Sequence, residues 1–262
     1  MDGSIGLTKS FGTWTKNPRI GLTKCLVNPS DKLDDMAFTR GGIMPLTLGG
    51  PLGDAVALSS ELRLRRFFES DESEPLLVWS PDYRSQNHSG DWYGEHIGKW
   101  LAAASLAARR TGDGPLKRRV LEVARYLVAQ QEPSGYLGNY AAGANARIDS
   151  GSAHETRTWD LWVLACALRG LAEASKLSEE FLAPCERLVS YLVNVAESDA
   201  RIAYWGNHDG LSATIIVDPL MDYHRLSGSM AALQLAKRVL DSLYERINLV
   251  EAINTGDASH TG

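Results

Sequence analysis

The chain has 262 residues, of which 44% are hydrophobic and 23% are charged, as is ordinary for a soluble globular protein. Its net charge of −5 supplies no basic surface, so nucleic acid is excluded as a partner. No apolar run reaches the roughly 18 residues that a membrane-spanning helix needs, which excludes a membrane partner. Residues 1–10 contain no apolar leader, which predicts a cytoplasmic protein.

The beginning of the chain predicts little regular structure. Residues 1–53 are rich in Gly, Thr, Pro and Asn and show no sustained period, so we expect an irregular segment there. A first helix is predicted over 54–69, with Asp54 as its N-cap. Residues 70–90 are expected to form a loop with an apolar insert at 76–79, because turn-forming residues follow that insert at 81–82 and 89–90.

Residues 54–250 are predicted to form a domain of helical hairpins. Apolar residues recur at helical spacing in pairs of helices, with breaks at Gly112, near Ser178 and at Gly228. The pairs are 95–110 with 116–131, 159–174 with 178–196, and 211–226 with 230–244. A hairpin cannot bury both of its faces alone, so neighbouring hairpins must stack. Residues 251–262 are expected to be an unfinished loop.

Small residues dominate the first helices of these pairs, as in Ala102–Ala104 and at Gly170. Small side chains allow the backbones of neighbouring helices to approach closely. We therefore expect the first helices to pack closely against their neighbours.

The long loops between hairpins carry the aromatic and ionisable side chains, whereas the turns within hairpins consist mainly of Gly, Ser, Asp and Pro. If the hairpins stack around an axis, these loops emerge at one end and surround one cavity. Aromatic rings pack on the apolar faces of sugars, and carboxylates and imidazoles bind hydroxyl groups, so a carbohydrate is the predicted ligand. The predicted substrate-binding residues are Trp92, Glu95, His96, Trp159, Asp160, Trp205 and His208.

Two of these carboxylates also have structural interpretations. Glu95 lies at a predicted helix start, where it would complement the helix dipole. Asp160 could cap the first helix of the second pair. The loops as a whole could serve only to cover an apolar core.

An ordered set of motifs runs through the same region: Gly94–Trp100, Thr111–Asp113, Gly135–Gly138, Trp159–Leu161 and Trp205–Gly210. In order and spacing this set resembles the β-L-arabinofuranosidases of glycoside hydrolase family 127. The resemblance implies a six-hairpin (α/α) barrel and action on arabinofuranosides or related plant glycans. It also implies a retaining mechanism in which a zinc-bound cysteine is the nucleophile and a glutamate is the acid/base.

The resemblance assigns substrate contact, and no catalytic role, to residues of this chain. His208 matches a sugar-binding histidine of the family, and Trp159–Asp160 match a pocket-lining stretch more loosely. The family's catalytic cysteine and glutamate lie downstream of the region around His208, and no cysteine follows Cys185 here. We therefore expect a fragment, an incomplete barrel without the catalytic half. It would hold no cofactor itself, and the zinc site would lie in the missing C-terminal part.

The cysteines bear on metal and disulfide sites, and the exposed helix faces of such a fragment bear on its oligomeric state. Cys25, Cys166 and Cys185 are widely spaced and predict neither a zinc site nor a disulfide framework. Cys166 and Cys185 lie on apolar helix faces and are expected to be small buried hydrophobes. An incomplete barrel would expose apolar helix faces, which predicts a homo-oligomer.

Two other functions remain open at this point. One is sugar binding by a degenerate barrel that has lost catalysis. The other is a barrel glycosidase that uses two carboxylates, about 5 Å apart for retention or roughly 6.5–9.5 Å apart for inversion. The candidates for such a pair are Asp91, Glu95, Glu155, Asp160 and Asp209.

Overall fold

The computed structural model describes residues 48–68, 74–88, 91–150, 158–198 and 211–246. None of the helices in these ranges is long and apolar enough to cross a membrane. Every regular element in the same ranges is a helix and no strand occurs among them, which confirms the predicted all-α class. The core of this part of the chain is therefore made by packing helices on helices.

The first helix begins earlier than predicted. Helix α1 covers Gly50–Ser59 and continues directly into a π-helical segment, Ser60–Leu64. Its N-cap is Gly49, so the prediction that Asp54 caps this helix is wrong. Pro51 explains the earlier start, because the first turn of a helix does not need the amide hydrogen that proline lacks.

Two short helices precede the first hairpin, within the residues predicted as a loop. Helix α2 covers Glu74–Leu77 and helix α3 covers Pro81–Gln86. The apolar insert belongs to the core, since Trp79 is fully buried and its indole N–H donates a hydrogen bond to the carbonyl of Gly94 at 3.3 Å. This contact ties the segment to the start of the next helix.

Three helical hairpins follow, as predicted. They are α4 (Glu95–Thr111) with α5 (Gly114–Ala129), α6 (Asp160–Ser175) with α7 (Leu182–Ser198), and α9 (Val217–Ser227) with α10 (Met230–Arg246). A 3₁₀ turn, Glu179–Phe181, precedes α7. The predicted helix 211–226 is split into α8 (Leu211–Thr214) and α9. Pro219 explains the split, because proline is tolerated only in the first turn of a helix.

Glycine ends the first helix of two hairpins. Gly112 after α4 and Gly228 after α9 have φ angles of 68° and 77°, in the left-handed region that favours glycine. Asp113 then caps α5, since its carboxylate accepts a hydrogen bond from the backbone N–H of Leu116 at 3.0 Å. The turns at both glycines therefore lie where the sequence predicts them.

The hairpins stack with their first helices side by side. Helix α6 packs against α4 on one side and against α9 on the other. The second helices flank this row, with α5 on α4 and α6, α7 on α6 and α10, and α10 on α9. Helix α6 is accordingly the most deeply buried of the row. This arrangement repeats one unit, the hairpin, along the row, as solenoid and toroid folds do.

Glycines set the close approach of α4 and α6. A Cβ atom on Gly98 would lie 2.1 Å from the backbone oxygen of Cys166, and one on Gly170 would lie 2.7 Å from the backbone oxygen of Gly98. The predicted close packing of the first helices is confirmed at this crossing. Contacts advance together along both helices, from Glu95 with Trp162 to Gly98 with Cys166, so α4 and α6 run in the same direction.

Candidate functional site

Five of the seven predicted site residues lie at one end of the helical row. Trp92, Glu95 and His96 are at the N-terminal end of α4, and Trp159 and Asp160 are at the N-terminal end of α6. These ends are neighbours because the two helices pack in parallel. The other two predicted residues, Trp205 and His208, lie outside the described residues.

Glu95 is held by partners from both helices. Its side chain accepts a hydrogen bond from the indole N–H of Trp162 and forms an ion pair with Lys99 at 2.7 Å. The ammonium of Lys99 also lies 5.4 Å from the centre of the Trp162 ring, and Trp162 packs edge-to-face on Trp159 at 5.6 Å. Glu95 itself is only 7% exposed. We call Glu95, Lys99, Trp159 and Trp162 the Glu95 cluster.

The Glu95 cluster contains two residues that sequence reasoning missed. Lys99 is four residues after Glu95, a spacing that places two side chains on the same face of a helix and could have identified it. Trp162 is far from Glu95 in sequence, and only the packing of α6 on α4 brings its indole to the carboxylate. Helix-dipole complementation therefore accounts for only part of what Glu95 does.

Three rings stack beside this cluster. The imidazole of His96 lies between Phe67 and Trp92, with ring centres 6.4 Å and 5.5 Å away and planes inclined by 11° and 25°. We call these three residues the aromatic stack. Phe67 and Trp92 are 42% and 43% exposed, and the neighbouring Tyr93 is also exposed. Phe67 was not predicted, because it lies in the turn after the π-helical segment and carries no motif.

Asp160 lies in a different environment. It is fully buried, its Oδ1 atom accepts a hydrogen bond from the Tyr136 hydroxyl at 2.7 Å, and its Oδ2 atom accepts one from the backbone N–H of Ile148 at 3.0 Å. Burial raises the pKa of Asp160 to about 7, against the lowering effect of these hydrogen bonds. The N-cap of α6 is Trp159, so the alternative that Asp160 caps this helix is wrong. Asp160 instead joins the loop before α6 to the helix.

Buried side chains from the segment between α5 and α6 surround Asp160. Arg147 lies 3.5 Å from the centre of the Tyr136 ring and donates two hydrogen bonds to Glu132, at 3.0 and 2.8 Å. The hydroxyl of Tyr140 donates to the backbone carbonyl of Asp91 at 2.6 Å, which links the loop to the start of α4. We call Asp160, Tyr136, Tyr140 and Arg147 the buried cluster.

The alternative of a catalytic carboxylate pair gains no support from Asp91 and Asp160. Asp91 accepts hydrogen bonds from the Tyr83 hydroxyl at 2.6 Å, from the side chain of Asn139 at 3.3 Å and from the backbone N–H of Tyr93 at 3.0 Å. Asp160 is closed to solvent. Of the three remaining candidates, Glu95 is engaged by Trp162 and Lys99, and Glu155 and Asp209 lie outside the described residues.

The described residues do not fit a zinc site. Among them, no three His, Cys, Asp or Glu side chains cluster as metal ligands would. Cys166 and Cys185 are buried as predicted, and burial raises the pKa of the Cys166 thiol to about 12, so this thiol is protonated at neutral pH. The third cysteine, Cys25, lies outside the described residues.

First helices packed side by side and flanked by second helices, with aromatic and ionisable side chains at one end, are consistent with the six-hairpin (α/α) glycosidase fold. Residues 58–262 match the model of the GH127 β-L-arabinofuranosidase catalytic domain. Because this match covers most of the sequence, the chain belongs to that family.

A solved structure supports the fold. The chain is similar to a GH127 β-L-arabinofuranosidase from Geobacillus stearothermophilus T6, with 16% sequence identity and a TM-score of 0.53. The similarity covers 71% of this chain and 29% of that one, so this chain spans less than a third of its structural relative. No curated protein matches the sequence. The predicted six-hairpin fold is confirmed.

Proposed function

We propose that this chain forms part of a carbohydrate site of the β-L-arabinofuranosidase type and takes part in binding and hydrolysing arabinofuranoside glycans. The membership of the GH127 catalytic-domain family supports this proposal. The structural relative carries the name of the same activity. The cytoplasmic location stays a prediction from the N-terminal sequence.

The observation that carries the proposal is the Glu95 cluster. It combines a hydrogen-bonded carboxylate, an ammonium group and two indole rings at the neighbouring N-terminal ends of α4 and α6. Indole faces cover the apolar face of a sugar ring, while carboxylate and ammonium groups bind its hydroxyls. Because the carboxylate is already oriented by Trp162 and Lys99, little ordering remains for a ligand to supply.

The binding and the bond-breaking chemistry have different sources in this proposal. The described residues supply sugar contacts, and they do not fit a zinc site. In the family's mechanism zinc would activate a cysteine nucleophile, and none of the described residues would hold that ion. A chelator should therefore leave sugar binding by the Glu95 cluster unchanged.

The test is a calorimetric titration with the disaccharide of β-linked L-arabinofuranose, paired with an assay for released arabinose. We expect the parent chain to bind the disaccharide and Glu95→Gln to weaken binding about tenfold, since removing a charged hydrogen-bond partner costs on the order of 1.5 kcal/mol. The control is Glu122→Gln on α5, whose side chain is 57% exposed.

The outcomes separate the open alternatives. If the chain releases arabinose and a chelator stops this release, the hypothesis of a zinc-dependent hydrolase is supported. Binding without any release supports a sugar-binding protein. If the parent chain binds no arabinofuranoside, or if both variants bind equally well, the proposed site is wrong.

A further inference from the structure

We propose that Tyr140 is a positioning residue for the carbohydrate site, because its hydroxyl joins the segment before α4 to the start of α6. In this role Tyr140 contacts no sugar and acts by fixing Trp159 relative to Glu95. The inference rests on the proposed carbohydrate function, since it concerns the side chains to which that function assigns the sugar.

One hydroxyl group bridges the two helix starts. The Tyr140 hydroxyl donates a hydrogen bond to the backbone carbonyl of Asp91 at 2.6 Å and accepts one from the backbone N–H of Trp159 at 3.2 Å. Asp91 directly precedes Trp92 before α4, and Trp159 is the N-cap of α6. Both bonds go to backbone groups, so they fix the course of the chain at each helix start. Burial raises the pKa of Tyr140, so the hydroxyl keeps the hydrogen that it donates.

Tyr140 is itself held firmly, and it is only 1% exposed. Asn87 brackets its backbone: the Asn87 side-chain amide donates to the carbonyl of Asn139 at 3.0 Å, and the Asn87 carbonyl accepts from the backbone N–H of Ala141 at 3.0 Å. The backbone N–H of Tyr140 donates to the Tyr136 hydroxyl at 3.3 Å. A group that packing and hydrogen bonds hold in place can keep its partners within about 0.5 Å of a working geometry.

Trp159 is the ring whose position this bridge sets. The backbone N–H groups at the start of a helix have no acceptor within the helix, and the Tyr140 hydroxyl supplies one to Trp159. Trp162, by contrast, lies inside α6, and its indole is bonded directly to Glu95. Removing the hydroxyl should therefore release Trp159 from its place while the hydrogen bond between Trp162 and Glu95 remains.

The test is Tyr140→Phe, which keeps the buried ring and removes only the hydroxyl. We expect calorimetry to show that affinity for the disaccharide of β-linked L-arabinofuranose falls by up to about tenfold, because Trp159 no longer holds the position that the sugar needs. The matched control is Tyr223→Phe on α9, which removes a hydroxyl that donates to Glu186 of α7 at 2.8 Å and should keep the parent affinity. Thermal melting of both variants checks that they remain folded.

A readout without ligand follows the bridge itself. Without its acceptor, the backbone N–H of Trp159 should exchange with solvent deuterium faster in Tyr140→Phe than in the parent chain. The indole N–H signal of Trp159 should also move in the NMR spectrum, while that of the buried Trp79 stays in place. A general loss of stability would instead speed exchange at many core amides, and that result would contradict a local role.

A double substitution shows whether Tyr140 acts through Trp159. Once Trp159→Ala has removed the indole, Tyr140→Phe should cost no further affinity for the disaccharide, because no ring is left to position. Losses that add in the double variant would show that the hydroxyl acts elsewhere and would overturn the inference.

The failure of this inference differs from the failure of the proposed function. If the parent chain binds the disaccharide and Tyr140→Phe binds it as well as Tyr223→Phe does, the positioning role is wrong and the carbohydrate site stands. A Tyr140→Phe chain that does not fold also overturns the inference, because the hydroxyl then serves the whole fold. If the parent chain does not bind the disaccharide, both proposals fall.

Discussion

The aromatic stack and the buried cluster both combine aromatic with ionisable side chains and lie near the same end of the helical row, yet they differ in access to solvent. Phe67 and Trp92 are 42% and 43% exposed, whereas Asp160 and Arg147 are 0% and 3% exposed. Buried ionisable groups must be hydrogen-bonded or paired, and both Asp160 and Arg147 are. The buried cluster is therefore enclosed within the fold, whereas Phe67 and Trp92 of the aromatic stack face solvent.

The largest expected effect is on the buried cluster. Asp160→Ala leaves the Tyr136 hydroxyl and the backbone N–H of Ile148 without their acceptor inside the core. We expect the free energy of unfolding to fall by about 3 kcal/mol or more. Chemical denaturation measures this loss, with Asp241→Asn on the exposed face of α10 as the control. A loss no larger than that of the control would contradict the structural role.

The buried cluster should also make stability depend on pH. The Asp160 carboxyl has a pKa of about 7 in the folded chain because burial disfavours its charge, against about 3.9 when unfolded. Between these values the folded state keeps a proton that the unfolded state has released. Stability should therefore fall as pH rises from about 4 to about 7, by at most about 1.4 kcal/mol per pH unit.

Denaturation at several pH values measures this slope. Asp160→Asn removes the titrating group and should flatten the slope, whatever its effect on stability at one pH. An unchanged slope in this variant would show that another group is responsible.

The close crossing of α4 and α6 depends on glycine. A methyl group on Gly98 would meet the backbone of Cys166, which cannot move as a flexible side chain can. We expect Gly98→Ala to cost about 1–3 kcal/mol. Gly114→Ala is the matched control, since its Cβ would contact only the end of Arg118 at 3.8 Å. Similar melting temperatures for the two variants would refute the close approach.

A smaller effect is expected in the Glu95 cluster. Trp162→Phe removes the indole N–H that binds the carboxylate, while Lys99 keeps its ion pair. We expect a stability loss of about 1 kcal/mol together with weaker binding of the arabinofuranose disaccharide. Thermal melting and calorimetry measure the two effects. A stability loss with unchanged affinity would assign Trp162 to the fold alone.

The smallest effect concerns self-association. Leu52, Leu58 and Leu62 of α1 and its π-helical continuation are exposed, and exposed apolar surface favours association. We propose a homo-oligomer through this face, and Leu52→Ser with Leu58→Ser should shift it toward monomer. Light scattering across micromolar concentrations measures the shift. A parent chain that stays monomeric throughout would contradict it.

The sequence predicts the helices well and distinguishes the buried cluster from the Glu95 cluster poorly. Helical periodicity and the glycines at 112 and 228 locate the hairpins, because these signals are local. The roles of Asp160 and Glu95 depend on partners distant in sequence, such as Tyr136 and Trp162, that only packing supplies. Asp160 and Glu95 therefore look alike in sequence, as acidic residues at helix starts.

The most direct test of the central claim is a titration followed by NMR of the indole N–H groups. With the β-linked arabinofuranose disaccharide, we predict that the signals of Trp92, Trp159 and Trp162 shift, while those of the core residues Trp79 and Trp100 stay in place. Unmoved signals from the first three, or equal shifts of all five, would contradict the assignment of a carbohydrate site to this end of the helical row.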